Sequence, residues 1–194
     1  SEVLALAKYY GKQPASSRKR SMMFVTMDTH FTGYEAHVDL ATKYLPRNGV
    51  NVVANVTIEH IAREMANKDG KQVMTGQVEP RLFITSPSLM ELASEQIRKH
   101  DYRRSLVIST EKFKNDSAGL PTDVGPIQLI TGFPVISLIS APGYLYDISD
   151  TLDKVAEDQL QPTANLVADL LDGLHTMSVE MLGRDQEKNP SGES

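Results

Sequence analysis

Three side chains in this sequence could carry acid–base or metal chemistry: His30, Glu59 and Asp123. An imidazole with a free pKa near ~6.5 can act as a base at neutral pH, and carboxylates can hold metals or move protons. Ordinary explanations also exist. His30 can simply end a strand, and Asp123, which follows Pro121 and Thr122, can serve a turn. The sequence leaves both readings open.

Glu59 and His60 are neighbours and look like a possible pair of metal ligands. Adjacent side chains of a strand point to opposite faces, so the two can share a metal only if a bulge intervenes. The sequence contains no Gly-x-Ser-x-Gly elbow, phosphate-binding loop or dinucleotide fingerprint. The familiar serine-hydrolase and nucleotide-binding sites are therefore not indicated.

Strands alternate with helices along the chain, which is typical of an α/β fold with a mostly parallel central sheet. The region between Arg63 and Gly76 is polar and has the character of a hairpin. Predicted strands are Met22–Met27, Val50–Ile61, Arg81–Thr85, Leu106–Ser109 and Val135–Ile139. Predicted helices are Val3–Tyr10, Tyr34–Leu45, Leu89–His100 and Pro162–Leu182, with a further helix opening at Asp150 and Thr151.

The stretch from Leu120 to Lys154 is the most informative part of the sequence. Its apolar, β-branched run Val135–Ile139 fits a strand that is covered on both faces. Loops that follow the carboxyl ends of strands line the ligand crevice in open α/β sheets. We therefore expect Tyr144, Tyr146 and Asp147 to lie on the rim of such a crevice.

Composition limits the possible functions. The chain has 194 residues, a formal net charge of -5, and neither Cys nor Trp. Its length suits one domain, predicted at residues 1–183 and followed by a disordered polar tail at 184–194. No apolar run reaches the roughly 18 residues of a membrane span. The one basic cluster, Arg18 to Arg20, lies in a Ser-rich loop, so nucleic-acid binding is not indicated.

The start of the chain does not resemble a signal peptide. Without Cys there is no disulfide from which to judge the redox environment. The compartment therefore stays open between an exported and a cytoplasmic location.

The stretch from Leu120 to Lys154 resembles the C-terminal signature of the di-zinc exopeptidases related to bacterial leucyl aminopeptidase, glutamate carboxypeptidase II and the transferrin receptor. In that family an "SDH-x-x-F" loop precedes "G-I-P", a strand and "Y-H-T-x-x-D-T". The counterparts here are residues 122–127 (TDVGPI), 132–134 (GFP) and 145–151 (LYDISDT). The resemblance implies a three-layer α/β/α fold with a crevice formed by Asp28, His30, Phe31, Asp123 and Tyr146.

The resemblance also implies roles for single positions. Residues 20–45 resemble the family's "F-x-x-x-D-x-E-E-x-G" segment, so that His30 takes the place of the general base and Phe31 that of a zinc ligand. Tyr146 takes the place of the last zinc-binding His, and Glu59 matches a zinc-binding carboxylate. The family's first His and its bridging Asp would lie before Ser1.

This pattern predicts a broken metal site. Phe31 cannot ligate, and Tyr146 is a poor ligand because its phenol has a free pKa near ~10. Only Glu59 remains a plausible ligand, so no cofactor is expected for the chain as given. His30, Glu59 and Tyr146 are then catalytic candidates by position alone.

The leading hypothesis is a non-catalytic domain that binds or assembles with a peptide or protein, and oligomerisation is possible. One rival is a zinc-dependent aminopeptidase or related amide hydrolase whose site is altered or completed upstream. Another is a hydrolase that uses a different mechanism in the same crevice.

Overall fold

A computed structural model describes residues 2–116 and 119–183, and its centre is a four-stranded sheet. The predicted tail at 184–194 lies outside the described residues. The strands are β1 (Asn55–Ile58), β2 (Arg63–Lys68), β3 (Lys71–Val78), β4 (Arg81–Thr85), β5 (Ser105–Ser109) and β6 (Val135–Ser140). The central sheet has the order β1-β6-β4-β5, while β2 and β3 form a separate hairpin.

Two of the three neighbouring strand pairs in the central sheet are parallel. β1 pairs with β6, and β4 pairs with β5, in parallel register, whereas β4 and β6 are antiparallel. This confirms the predicted α/β class with a mostly parallel sheet. The antiparallel pair has a consequence for the site, because only β1 and β6 direct their carboxyl ends to the edge where Glu59 lies.

Helices cover both faces of this sheet. One core cluster joins Phe83 and Ile136 to the apolar sides of three helices, Glu2–Gly11, Met90–Lys99 and Glu157–Thr176. A second cluster joins Ile84 and Val135 to the helices Leu45–Arg47 and Gly125–Thr131. Neighbouring strand residues enter different clusters because successive side chains point to opposite faces. The helices are α1 (Glu2–Gly11), α2 (Glu35–Asp39), α3 (Leu45–Arg47), α4 (Met90–Lys99), α5 (Gly125–Thr131), α6 (Glu157–Thr176) and α7 (Val179–Leu182). A π-helical stretch, Leu40–Tyr44, joins α2 to α3.

Strand β6 is the best-buried element, as its sequence predicted. Residues from Val135 to Leu138 are buried, and Ile139 is half-buried. The strand has a hydrogen-bonded neighbour on each side and helices over each face, so its side chains have little access to water.

The predicted strand Met22–Met27 is wrong. This segment is extended, and Met22 and Phe24 pack against the first core cluster. No backbone hydrogen bond joins residues 21–28 to any other described residue. The apolar run thus places some of its side chains against the core, but the main chain stays outside the sheet.

Two predicted boundaries also need correction. β1 covers only Asn55–Ile58, not the whole of Val50–Ile61. The helix expected at Asp150 and Thr151 is instead a single 3₁₀ turn, Leu152–Lys154, and α6 starts at Glu157. The reason is that the N–H of Ala156 donates to the carbonyl of Ile61 at 3.0 Å, which keeps this part of the chain extended.

The β2–β3 hairpin confirms the predicted hairpin character of this region, and most of its β3 strand is exposed. The Tyr144 hydroxyl donates to the carbonyl of Arg63 at 2.7 Å, and Arg104 forms an ion pair with Glu64. These contacts join the hairpin to the body of the domain. Within the described part of the chain, no helix has the length and apolarity needed to cross a membrane.

Candidate functional site

Glu59 lies directly after β1, where its carboxylate is buried against the neighbouring strand. Its own N–H donates to the carbonyl of Leu138 at 2.8 Å, which continues the parallel pairing. Both carboxylate oxygens accept from the N–H of Asp123 at 3.1 Å, and one also accepts from the Ser137 hydroxyl at 3.3 Å. The Glu59 residue is only 7% exposed. A buried carboxylate held in this way has most of its acceptor positions occupied by the protein.

Asp123 is held by a tight turn before α5. The N–H of Gly125 donates to the carbonyl of Thr122 at 2.9 Å, and the Thr122 hydroxyl accepts from the N–H of Val124 at 3.1 Å. A Cβ atom at Gly125 would lie 2.3 Å from the carbonyl oxygen of Leu120, so this position requires glycine. The turn therefore fixes the main chain of Asp123, whose N–H bonds to Glu59.

His30 joins Asp123 to an aromatic group. Its Nδ1 donates to Oδ1 of Asp123, and the Tyr34 hydroxyl lies 3.4 Å from its Nε2. The ring centroids of His30 and Tyr34 are 4.9 Å apart. An Asp-His pair of this kind keeps a proton on Nδ1 and fixes the orientation of the imidazole ring.

The loop that carries His30 has an unusual backbone. Thr29 and Tyr34 both have positive φ, at 38° and 60°, and the N–H of Tyr34 donates to the carbonyl of Thr29 at 2.9 Å. The Thr29 hydroxyl accepts from the N–H of Ala36 at 3.1 Å. Non-glycine residues in the left-handed region cost free energy and cluster at functional sites. This loop therefore strengthens the case for a site.

His37 completes the cluster from inside α2. It is 3% exposed, and its ring lies 5.2 Å from that of Tyr34 in an edge-to-face arrangement. Its Nδ1 makes no hydrogen bond within the described residues. Burial lowers the pKa of His37, while the charge of Asp123 partly opposes this shift. His37 is therefore neutral at neutral pH.

Burial is also the largest cause of the pKa shifts of Glu59 and Tyr34. It raises the pKa of Glu59 to about 7, with the charge of Asp123 adding to the shift and the hydrogen bonds to Glu59 opposing it. Burial, together with the charge of Asp123, raises the pKa of Tyr34. Glu59 thus exchanges its proton near neutral pH, and Tyr34 keeps its phenol protonated.

The structure joins two positions expected in the crevice, His30 and Asp123, to the ligand candidate Glu59 through direct contacts. Tyr146 lies in the loop after β6 and is close enough to contribute to the raised pKa of Tyr34. The charge of Asp28 acts on His37, so this residue also borders the cluster.

The sequence also pointed to Phe31 and His60 as site positions. Phe31 belongs to the short turn His30–Thr32. His60 turns away from Glu59, because its Nδ1 is 2.9 Å from the carbonyl oxygen of Ser140. The neighbouring pair Glu59 and His60 therefore does not share a site.

Tyr34 and His37 belong to the cluster but were not among the predicted site residues. Their positions follow His30 by four and seven residues, which is the spacing of one helical face. His30 itself precedes α2, but the turn brings its ring against Tyr34. This spacing was the one signal in the sequence that could have revealed them.

A groove of about 770 Å³ lies beside the cluster. Its walls are the extended segment Val25–Asp28 and one side of the continuous helix from α2 to α3. Asp28 contributes to the groove and also acts on His37. The groove and the crevice are therefore neighbouring parts of one surface.

The residues present do not fit a two-metal centre. Within residues 2–116 and 119–183, no three His, Asp or Glu side chains are grouped so that they could hold a metal ion. The carboxylate of Glu59 accepts from the main chain of Asp123, and Nδ1 of His30 is occupied by the Asp123 side chain. Two of the side chains that could ligate a metal, those of Glu59 and Asp123, are therefore already bonded within the protein.

Comparisons with protein-family models, curated proteins and solved structures gave no match to this chain. The resemblance to the di-zinc exopeptidases therefore rests on the motif residues at 122–127, 132–134 and 145–151.

Proposed function

We propose that this chain is a peptidase-like domain that binds a peptide or protein partner and does not hydrolyse it. The observation that carries the proposal is the bonding of Glu59. Glu59 is the one plausible metal ligand, and both of its carboxylate oxygens accept from the N–H of Asp123. Hydrolysis through a two-metal centre needs ligands that point into an open site and a carboxylate that moves the proton.

The partly exposed members of the crevice suit binding. The side chains of His30 and Asp123 are 28% and 32% exposed, so a ligand can reach them. The carboxylate of Asp123 can accept a donor from a peptide in addition to the imidazole, because an ionised carboxylate has about four acceptor positions.

The neighbouring groove also favours an extended peptide. Its wall, Val25–Asp28, forms no backbone–backbone hydrogen bond with another described residue. We infer that an extended peptide can pair with this extended segment through main-chain hydrogen bonds, as peptides do at sheet edges. A peptide in the groove would end next to Asp28 and the crevice.

The absence of turnover can be tested directly. Purified protein is incubated with zinc or cobalt, bound metal is measured by elemental analysis, and release from a panel of aminoacyl anilides is assayed. We expect neither stoichiometric metal nor chelator-sensitive turnover. Stoichiometric metal together with turnover would overturn the proposal and support a zinc-dependent amide hydrolase.

Binding needs a separate experiment. Short random peptides displayed on phage are selected on the immobilised protein, and the affinity of enriched peptides is measured by fluorescence anisotropy. Asp123→Asn removes the charge that faces the crevice and should weaken binding about tenfold, which is the loss of one good charged contact. Asp69→Asn, in the turn of the distant hairpin, is the matched control and should bind as the wild type does. Equal affinity of all three proteins would contradict a role for the crevice.

A further inference from the structure

The loop from Tyr144 to Leu152 presents apolar side chains to water beside the crevice. Ile148 is 98% exposed, Leu152 is 86% exposed and Tyr146 is 73% exposed. Single exposed apolar residues are normal, but several in one short loop indicate an interaction site. We call the residues from Tyr146 to Leu152 the display loop.

The exposure does not come from a frayed chain, because the loop is held by its own hydrogen bonds. Tyr144 at its base is buried, and the N–H of Asp147 donates to the Tyr144 carbonyl at 2.9 Å. The N–H of Asp150 donates to the carbonyl of Asp147 at 2.9 Å, and the Asp147 carboxylate accepts from the N–H of Ser149 at 2.8 Å. The backbone is therefore fixed while its apolar side chains lie in water.

Tyr146 adds a second sign of function. Its φ is +74°, a conformation that favours glycine and that few bulky residues adopt. Such residues persist where the surrounding structure holds them, and they concentrate at sites of binding and catalysis. The same residue acts on the pKa of Tyr34, so the display loop borders the crevice.

The charges around these apolar residues are acidic. Asp147 and Asp150 lie within the display loop, and Asp153 follows it, paired with Lys154 at 2.7 Å. Local hydrogen bonds to Ser149 hold the pKa of Asp147 below its usual range, so this carboxylate is ionised at neutral pH. An apolar surface with this acidic border is complementary to an apolar surface with a basic border.

We propose that the display loop is the contact surface for a protein partner that offers an apolar surface bordered by Lys and Arg. This inference rests on the proposed binding function and names the chemistry of the partner. Two alternative occupants fit less well. Two copies of the display loop would bring like charges together, and an anionic membrane would repel Asp147 and Asp150.

The peptide selection tests the inference when its products are sorted by composition. We expect the enriched peptides to combine basic and apolar residues and to bind more weakly as salt is raised. Ile148→Ser with Leu152→Ser removes the two most exposed apolar side chains and should weaken these peptides at least about tenfold. Leu4→Ser, at a 64% exposed position on α1, is the matched control and should leave affinity unchanged.

The outcomes separate this inference from the proposed function. If Asp123→Asn weakens binding and the double variant does not, the crevice binds and the display-loop inference fails. If only the double variant weakens binding, the display loop binds and the crevice proposal fails. Enriched peptides without basic residues would overturn the inferred partner chemistry.

Two further measurements address the other occupants. Sedimentation of the wild type and the double variant would reveal a dimer that depends on the display loop. Flotation with vesicles of anionic phospholipid would reveal membrane binding that depends on the same two side chains. Either result would overturn the inference, and monomeric protein that does not float is expected.

Discussion

The crevice and the display loop lie along the same edge of the sheet. They differ in which groups form hydrogen bonds and which side chains meet water. In the crevice, Glu59, Asp123 and His30 satisfy one another, and little of Glu59 meets water. In the display loop local hydrogen bonds hold the backbone, and apolar side chains such as Ile148 are exposed to water. Titratable side chains that lie close to one another therefore do not by themselves indicate catalysis. The exposed apolar side chains of the display loop are the clearer sign of a binding partner.

The largest effect should come from β6, the strand that leads to the display loop and supports Glu59. Ile136→Ala truncates a residue that is 1% exposed and should lower the free energy of unfolding by about 2–5 kcal/mol. Denaturant unfolding measures the change. Ile148→Ala removes the same atoms in the display loop and should change stability by less than about 0.5 kcal/mol. Similar losses in the two variants would show that the contrast in burial is wrong.

The next effect concerns the buried carboxylate of the crevice. The pKa of Glu59 is raised from 4.5 to about 7 by folding, so the folded state binds its proton more tightly than the unfolded state does. Its contribution to stability is fully present below about pH 4.5 and is lost as the pH rises through about 7. Over this range the stability of the wild type should fall by about 3 kcal/mol relative to Glu59→Gln, which cannot titrate.

This difference is measured by denaturant unfolding of both proteins at several pH values. The comparison between variants is needed because His37 has a lowered pKa and acts in the opposite direction as the pH falls. A constant difference between wild type and Glu59→Gln would mean that Glu59 keeps an ordinary pKa and is not buried as described.

A smaller effect should come from the backbone of the display loop. Tyr146→Gly relieves a left-handed conformation that costs a bulky residue about 1–2 kcal/mol, while glycine adds freedom to the unfolded chain. We expect stability to stay equal or rise by up to about 1 kcal/mol, with weaker binding of the selected peptides. Tyr44→Gly, where φ is −68° in a helix, should instead lower stability by about 1 kcal/mol. Loss of stability in Tyr146→Gly would show that the ring packs against the domain.

The smallest effect on stability should come from the apolar side chains of the display loop. Ile148→Ser removes a side chain that makes little contact with the domain, so the free energy of unfolding should change by less than about 0.5 kcal/mol. Thermal unfolding is sufficient to check this. A clear loss of stability would mean that Ile148 packs in the folded protein, and its role as a contact residue would have to be withdrawn.

The strands that sequence predicted best are those with strong local signals. β4 lies between Pro80 and the Ser86-Pro87 pair, and the structure gives it the predicted bounds Arg81–Thr85. The β-branched run of β6 was equally clear. The segment Met22–Met27 is also an apolar run but shows no pairing, because an apolar run indicates buried side chains and carries no information about backbone partners.

The residues of the site were predictable in part, but the bonds among them were not. His30, Glu59 and Asp123 were selected by residue type and position, whereas the bonds among them depend on a turn formed around Gly125. His37 looked like an ordinary helix residue, and only the fold shows that it lies against Tyr34. Which polar groups satisfy one another is a property of tertiary contacts, so no local pattern could supply it.

The late position of β6 in the chain has a consequence for how the protein folds. β6 lies between β1 and β4, so that Asn55 pairs with Val135 and Arg81 pairs with Ser140. During synthesis β1 waits without its partner until β6 has left the ribosome, while the β2–β3 hairpin can form at once. Domains with such distant contacts fold slowly and expose apolar strands meanwhile. A nascent chain that stalls before β6 would therefore be a natural client for chaperones.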